Sequence, residues 1–154
     1  MTPRVKAPFT LAPESIKAMT ALEASLAAST LEPALRELVK MRASQINACA
    51  FCLHMHATKA RADGESEMRI YLLNAWRESP LYSPRERAAL AWTEALTLVA
   101  TTGAPDADYE GIKEVFSETE QVQLTLLIGA INSWNRLQVG FRVAHPVDAA
   151  RVAA

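Results

Sequence analysis

Residues 37–56 read ELVKMRASQINACAFCLHMH, and this stretch holds both cysteines of the chain, Cys49 and Cys52, with two of its three histidines, His54 and His56. Cys49, Cys52 and His56 stand at i, i+3 and i+7. On a helix over residues 48–62 they share one face. His54 falls about 200° around the axis from Cys52 and points elsewhere. Asn47 is the expected N-cap, which puts Cys49 in the first turn. Free N–H groups and the positive end of the helix dipole favour a thiolate there. An imidazole one turn beyond Cys52 can take a thiol proton. Glu37 belongs to the preceding helix. It reaches the cluster only if the two helices fold back on each other, and its role is then to orient His56.

The rest of the chain reads as a helical frame for this cluster. A length of 154 residues suits one domain with a real core. Alanine, leucine and glutamate dominate the long segments, and no strand-like alternation or internal repeat interrupts them. The expected fold is all-α, with about six or seven helices and the C-x-x-C pair at a helix N-terminus. A net charge of −1 without a basic block argues against a nucleic-acid partner. No apolar run is long enough to cross a membrane, and MTPRVKAPFTLAPES lacks the apolar centre of a secretory signal. A cytoplasmic protein is expected. In that compartment a C-x-x-C pair points to catalysis or metal binding rather than to a structural staple.

In chain order, residues 1–13 carry Pro3, Pro8 and Pro13 and read as an extended arm. A helix follows from near Glu14 to Ala28. Ser29 and Glu32 have capping-box spacing before Pro33, and the next helix runs to about Gln45. Its stripe is Leu35, Leu38, Val39, Arg42 and Ile46, with Glu37, Met41 and Ser44 beside it. The cysteine helix ends at Asp63-Gly64. Residues 66–78 read as one helix that Pro80 stops. Ser83-Pro84-Arg85-Glu86 is the clearest helix start, and its helix runs to about Thr101 with Gly103 after it. Asp106 is a candidate cap for a helix to Phe116. Ser117 and Glu120 open the last helix, 118–137, which is apolar around much of its circumference. Residues 142–154 read as an irregular tail.

Several bland readings compete with the sharp one. A lone helical glutamate such as Glu37 is usually a solvated carboxylate. His54 and His145 read as structural or exposed histidines, and Trp76, Trp92 and Trp134 as core anchors, one of which could wall a pocket. A structural zinc site needs four ligands, usually from two separated pairs, and the chain has no second cysteine pair. Covalent haem attachment needs a histidine directly after the second cysteine, where Leu53 stands. A thioredoxin-type domain needs a βαβ pattern. A pair of buried, inert cysteines stays open, but it does not explain the alignment with His56.

The spacing E-x11-C-x2-C-x3-H, here Glu37, Cys49, Cys52 and His56, resembles the alkylhydroperoxidase AhpD core of the carboxymuconolactone decarboxylase-like superfamily. RASQINACAFCLHMHATKARADGE, AWRESPLYSPRERAALAWTEALTL and INSWNRLQVGFR resemble stretches of its small alkylhydroperoxidase-like members, so the likeness spans nearly the whole chain. It implies a single AhpD-like helical domain that assembles into homo-oligomers, often trimers or hexamers. It implies a thiol-dependent peroxidase that reduces organic hydroperoxides and is recharged by an external dithiol, with no cofactor and no metal. Catalytic roles follow for Cys52 as the peroxidatic thiolate, Cys49 as its resolving partner, and Glu37 with His56 as the proton relay. The alternatives are a non-catalytic redox sensor or disulfide-exchange protein, a zinc-binding oligomer, or a lactone decarboxylase. The true decarboxylases generally lack the cysteine pair. Phe51 stands where the best-studied branch has a histidine between the cysteines, which leaves fewer polar groups beside the thiols.

Overall fold

The computed structural model describes residues 2–146, and eight α-helices with no strand make up the regular structure of those residues, apart from two 3-10 turns. The helices are α1 (Pro13–Ala27), α2 (Pro33–Ile46), α3 (Ala50–Ala62), α4 (Glu67–Tyr71), α5 (Pro84–Thr97), α6 (Val99–Thr102), α7 (Asp106–Val115) and α8 (Glu118–Phe141). The 3-10 turns are Pro8–Thr10 in the N-terminal arm and Leu72–Ala75 after α4. Of the tail, residues 147–154 lie outside the described residues; Val143 to Pro146 have no regular structure.

Helix α2 is the centre of the bundle, packed on α3, α5 and α8. The stripe expected on it divides between two cores. Leu35 and Val39 join Trp92, Ile112, Leu124, Leu127 and Ile128 on one side. Leu38 and Met41 join Ala60, Leu73, Trp76, Tyr82 and Leu90 on the other. A helix with neighbours on three sides has no single apolar face, so Glu37, Ala43 and Ser44 are buried as well. Trp76 and Trp92 anchor these cores, and each satisfies its indole N–H: Trp76 Nε1 donates to Glu94 at 2.7 Å and Trp92 Nε1 to Thr125 Oγ1 at 3.0 Å.

Both later capping boxes form. Ser83 Oγ accepts from the Glu86 N–H and Glu86 returns a bond from the Ser83 N–H; Ser117 and Glu120 do the same at the start of α8. Several other boundaries differ from expectation. Ser29 and Glu32 make no capping box: Pro33 at N1 makes Glu32 the N-cap, without a side-chain bond, and Glu32 pairs with Arg85 at 2.9 Å instead. The Ser29 hydroxyl turns back to the Leu26 carbonyl. Residues 66–78 are not one helix. The Tyr82 hydroxyl donates to the Arg69 carbonyl, the acceptor that a continued α-helix would offer to the Leu73 N–H, and the chain tightens into a 3-10 turn that sinks Leu73 and Trp76. Helix α5 stops at Thr97, and Leu98 separates it from the short α6, which ends at Gly103 with φ 64°. Pro105 rather than Asp106 is the N-cap of α7, because Asp106 already has helical position N1. Helix α8 runs four residues beyond the expected end, to Phe141.

The two capping glutamates tie helix starts to distant arginines, Glu86 to Arg69 and Glu120 to Arg85, each at 2.5 Å. Burial pushes the Glu86 carboxyl up, but the Arg69 guanidinium and the Ser83 cap outweigh it and hold it below its ordinary value. The Ser117 N–H, then Arg85, hold Glu120 low as well. A carboxyl depressed in the folded state adds stability above its unfolded pKa and loses that stability as pH falls through its folded one. Their contribution is therefore complete above pH 4.5, the ordinary glutamate value, and drains away below it. Denaturant titrations at neutral pH and below pH 4.5 should show a smaller acid loss for the Glu86→Gln/Glu120→Gln double variant than for the unmodified chain. An equal loss would remove these two groups as the cause.

Candidate active site

The turn between α2 and α3 places the cysteines. Asn47 is the C-cap of α2, not the N-cap of α3. Its Nδ2 donates to Asn132 Oδ1 and Asn135 Oδ1 of α8, both at 2.9 Å, so its side chain is committed away from the helix start. Ala48 follows with φ 51°, a left-handed conformation that costs a non-glycine residue about 1–2 kcal/mol. Hydrogen bonds on both sides hold it. The Cys49 N–H donates to the Ser44 carbonyl at 2.9 Å. Asn135 Nδ2 donates to Ser44 Oγ at 3.0 Å, and Ser44 Oγ donates to the Lys40 carbonyl at 2.7 Å. Fully buried Asn135 thus clamps both ends of the turn to α8.

Cys49 itself is the N-cap of α3. Its Sγ accepts from the Cys52 N–H at 3.4 Å, which puts Cys52 at N3. The two sulfurs form a disulfide with Cα atoms 5.4 Å apart. Both cysteines are 1% exposed, in a small core with Ala43 and Ile131. One turn on, buried His56 places Nδ1 2.8 Å from Oε2 of buried Glu37, so α2 and α3 do fold back on each other. That contact commits Nδ1 to the carboxylate and leaves Nε2 as the nitrogen able to exchange a proton.

Cys52 and His56 line one cavity of about 290 Å³. Phe51, Met55, Ile131 and Trp134 supply its apolar wall; Thr20, Glu23 and Lys40 form a polar side, where Lys40 and Glu23 pair at 2.5 Å. The ring of Phe9, from the N-terminal arm, lies 6.1 Å from that of Trp134. Cys49 faces a smaller hollow of about 130 Å³ beside Phe51, Gln138 and Arg142. Glu37 borders a third, of about 140 Å³, together with Asp63 and Glu65. His54 is exposed on the far side of α3 and stacks on His145, ring centroids 5.5 Å apart. Among the described residues no three His, Cys, Asp or Glu side chains converge as a metal site.

Sequence reasoning missed the α8 contribution. Asn132, Asn135 and Gln138 recur at three-residue spacing on a helix otherwise rich in apolar residues, and all three are buried. Polar residues aligned on a buried face need partners, and that spacing was the available signal.

An all-helical frame with a C-x-x-C pair at the start of one helix, a histidine one turn further along it and a glutamate from the neighbouring helix, defines an AhpD-like protein. The carboxymuconolactone decarboxylase family model matches residues 13–95, and the chain belongs to that family. The uncharacterized protein YdfG of Bacillus subtilis is 44% identical over 131 residues, covering 85% of this chain and 89% of YdfG. A solved protein of unknown function from Agrobacterium tumefaciens, whose name associates it with AhpD antioxidant defence, superposes with a TM-score of 0.91 at 48% identity, over 96% of this chain and 100% of its own. An uncharacterized peroxidase-related protein from Silicibacter sp. TM1040 superposes with a TM-score of 0.75 at 25% identity, over 89% and 72%. The matched family span ends before α8, so the Asn132, Asn135 and Gln138 side of the site lies outside it. No helix among the described residues is long and apolar enough to cross a membrane.

Proposed function

We propose that this protein is a thiol-dependent peroxidase that reduces organic hydroperoxides through the Cys49–Cys52 pair. The observation that carries this reading is the shared cavity: Cys52 and His56 border the same apolar space, and Glu37 holds His56 by its far nitrogen. In the dithiol form, His56 Nε2 takes the Cys52 proton. The Cys52 thiolate attacks the terminal oxygen of the hydroperoxide, the O–O bond breaks, and the departing alkoxide receives the proton from His56 to leave as an alcohol. Cys52 is then a sulfenic acid. Cys49 attacks the Cys52 sulfur, the S–O bond breaks, and water leaves with the Cys49 proton. An external dithiol reduces the disulfide by exchange and is itself oxidised.

The protein reduced with a dithiol and freed of reductant should lose both thiols and two hydrogens of intact mass on addition of one equivalent of cumene hydroperoxide. Thiols that stay reduced would remove the peroxidase reading. A homo-oligomer fits the same reading, because Val122 and Leu126 on α8, with Leu98 and Val99 at the α5–α6 break, expose apolar side chains that a second copy would cover. Sedimentation as a monomer would remove that part.

A further inference from the structure

The cavity beside Cys52 is apolar over most of its wall, and an ion pair stands in the remainder. Lys40 Nζ of α2 donates to Glu23 Oε2 of α1 at 2.5 Å, and both residues line the cavity. Their side chains keep 13% and 24% of their exposure, so water reaches the pair but screens it less than a surface pair. Apart from His56, Lys40 is the one lining side chain among the described residues that can carry a positive charge. His56 already has a counter-charge in Glu37, 2.8 Å from its Nδ1. Glu23 takes the charge of Lys40 in the same way. The cavity therefore offers an incoming anion no unpaired cation.

We infer that the Glu23–Lys40 pair is a charge filter for this site: by neutralising Lys40, Glu23 reserves the cavity for uncharged organic hydroperoxides and turns away those that carry a carboxylate. The inference rests on the peroxidase reading above. A hydroperoxide of an organic acid would have to bring its carboxylate out of water into a space walled by Phe51, Met55, Ile131 and Trp134. An isolated charge is costly there unless a partner compensates it. Lys40 is the group that could do so, but an anion approaching it also approaches the Glu23 carboxylate and is repelled. The Cys52 thiolate of the dithiol form adds a second negative charge to the same space. An uncharged hydroperoxide meets neither obstacle and buries its alkyl or aryl body against the apolar wall. Glu23 and Lys40 take no part in the bond changes at Cys52 and His56. They are specificity residues, and they set which hydroperoxides reach the sulfur.

Cumene hydroperoxide and the same molecule with a para-carboxylate share the reacting group and differ in charge. The readout is the ratio of their second-order rates of thiol oxidation, carboxylated over uncharged, with the dithiol form of the protein at neutral pH. Any general loss of activity cancels in that ratio. The unmodified protein should favour the uncharged form. Glu23→Gln keeps the shape of the side chain and an oxygen to accept from Lys40, but leaves the ammonium charge unbalanced. It should raise the ratio roughly tenfold, the scale of one interaction with a charged group. Lys40→Met strands the Glu23 charge beside the cavity and should lower the ratio below that of the unmodified protein. If a thermal melt shows that one variant does not fold, the other is compared with the unmodified protein alone. An unmodified protein that ignores both hydroperoxides overturns the peroxidase reading and this assignment with it. An unmodified protein that oxidises with the two at equal rates overturns the assignment alone. So do variants whose ratios stay at the unmodified value or move in the same direction, since a pair that merely ties α1 to α2 would affect both substrates alike.

Discussion

Cys52→Ser is expected to abolish oxidation of the reduced protein by cumene hydroperoxide, whereas Cys49→Ser should react once and stop as a sulfenic acid, one oxygen heavier by intact mass. The two cysteines are equally buried in the first turn of α3, but they face different spaces. Cys52 opens on the larger apolar cavity that includes His56, and Cys49 on the smaller hollow toward Arg142. A substrate with a bulky apolar group finds room only on the Cys52 side. Electrostatics alone points the other way, because Cys49 occupies the N-cap and receives the Cys52 N–H, the position that most favours a thiolate. The two effects suit different tasks. The accessible sulfur, beside the imidazole, meets the peroxide, and the N-cap sulfur is held ready as the resolving nucleophile. Serine is a favoured N-cap residue, so Cys49→Ser should leave the start of α3 intact. If Cys52→Ser still consumes hydroperoxide while Cys49→Ser does not, the roles are exchanged.

The second large effect concerns the Glu37–His56 pair. Glu37→Gln keeps the shape of the side chain and an oxygen able to accept from Nδ1–H, but removes the negative charge that balances a protonated His56. Positioned proton transfer is worth about 10²–10⁴ in rate, so a loss of roughly a hundredfold in the oxidation step is expected for Glu37→Gln and a similar or larger one for His56→Gln. If Glu37 acts only through His56, the double variant should be no slower than His56→Gln alone. Losses that multiply in the double variant would show two independent roles and end the relay reading. Replacement of Glu37 by an apolar residue is a poor test, because it strands a buried imidazole N–H and threatens the fold itself.

Much of the frame was legible because the signals were local. Ser83-Pro84-Arg85-Glu86 and Ser117 with Glu120 contain both halves of a reciprocal cap within four residues, and both caps form. Gly64 ends α3 with φ 94°, as its place after Asp63 suggested. The local reading failed where a distant side chain intervened. Ser29 and Glu32 have the spacing of a cap, but Arg85 claims Glu32 from α5. Asn47 has the chemistry of an N-cap, but Asn132 and Asn135 claim it from α8, and the cap passes to Cys49. The helix expected over residues 66–78 breaks where Tyr82 reaches the Arg69 carbonyl.

The sequence by itself determined that the chain is helical, that Cys49, Cys52 and His56 share a helix face, and that Glu37 stands on the neighbouring helix, because periodicity and spacing act within one or two turns. Only the tertiary structure decided which sulfur borders the larger cavity, that Glu37 meets His56 at 2.8 Å, and that Gln138 lines both the cavity beside Cys52 and the hollow beside Cys49. Those outcomes depend on how α1, α2, α3 and α8 pack. A helix carries its own hydrogen bonds and caps within its sequence, whereas a cavity is what remains between helices after their side chains have met.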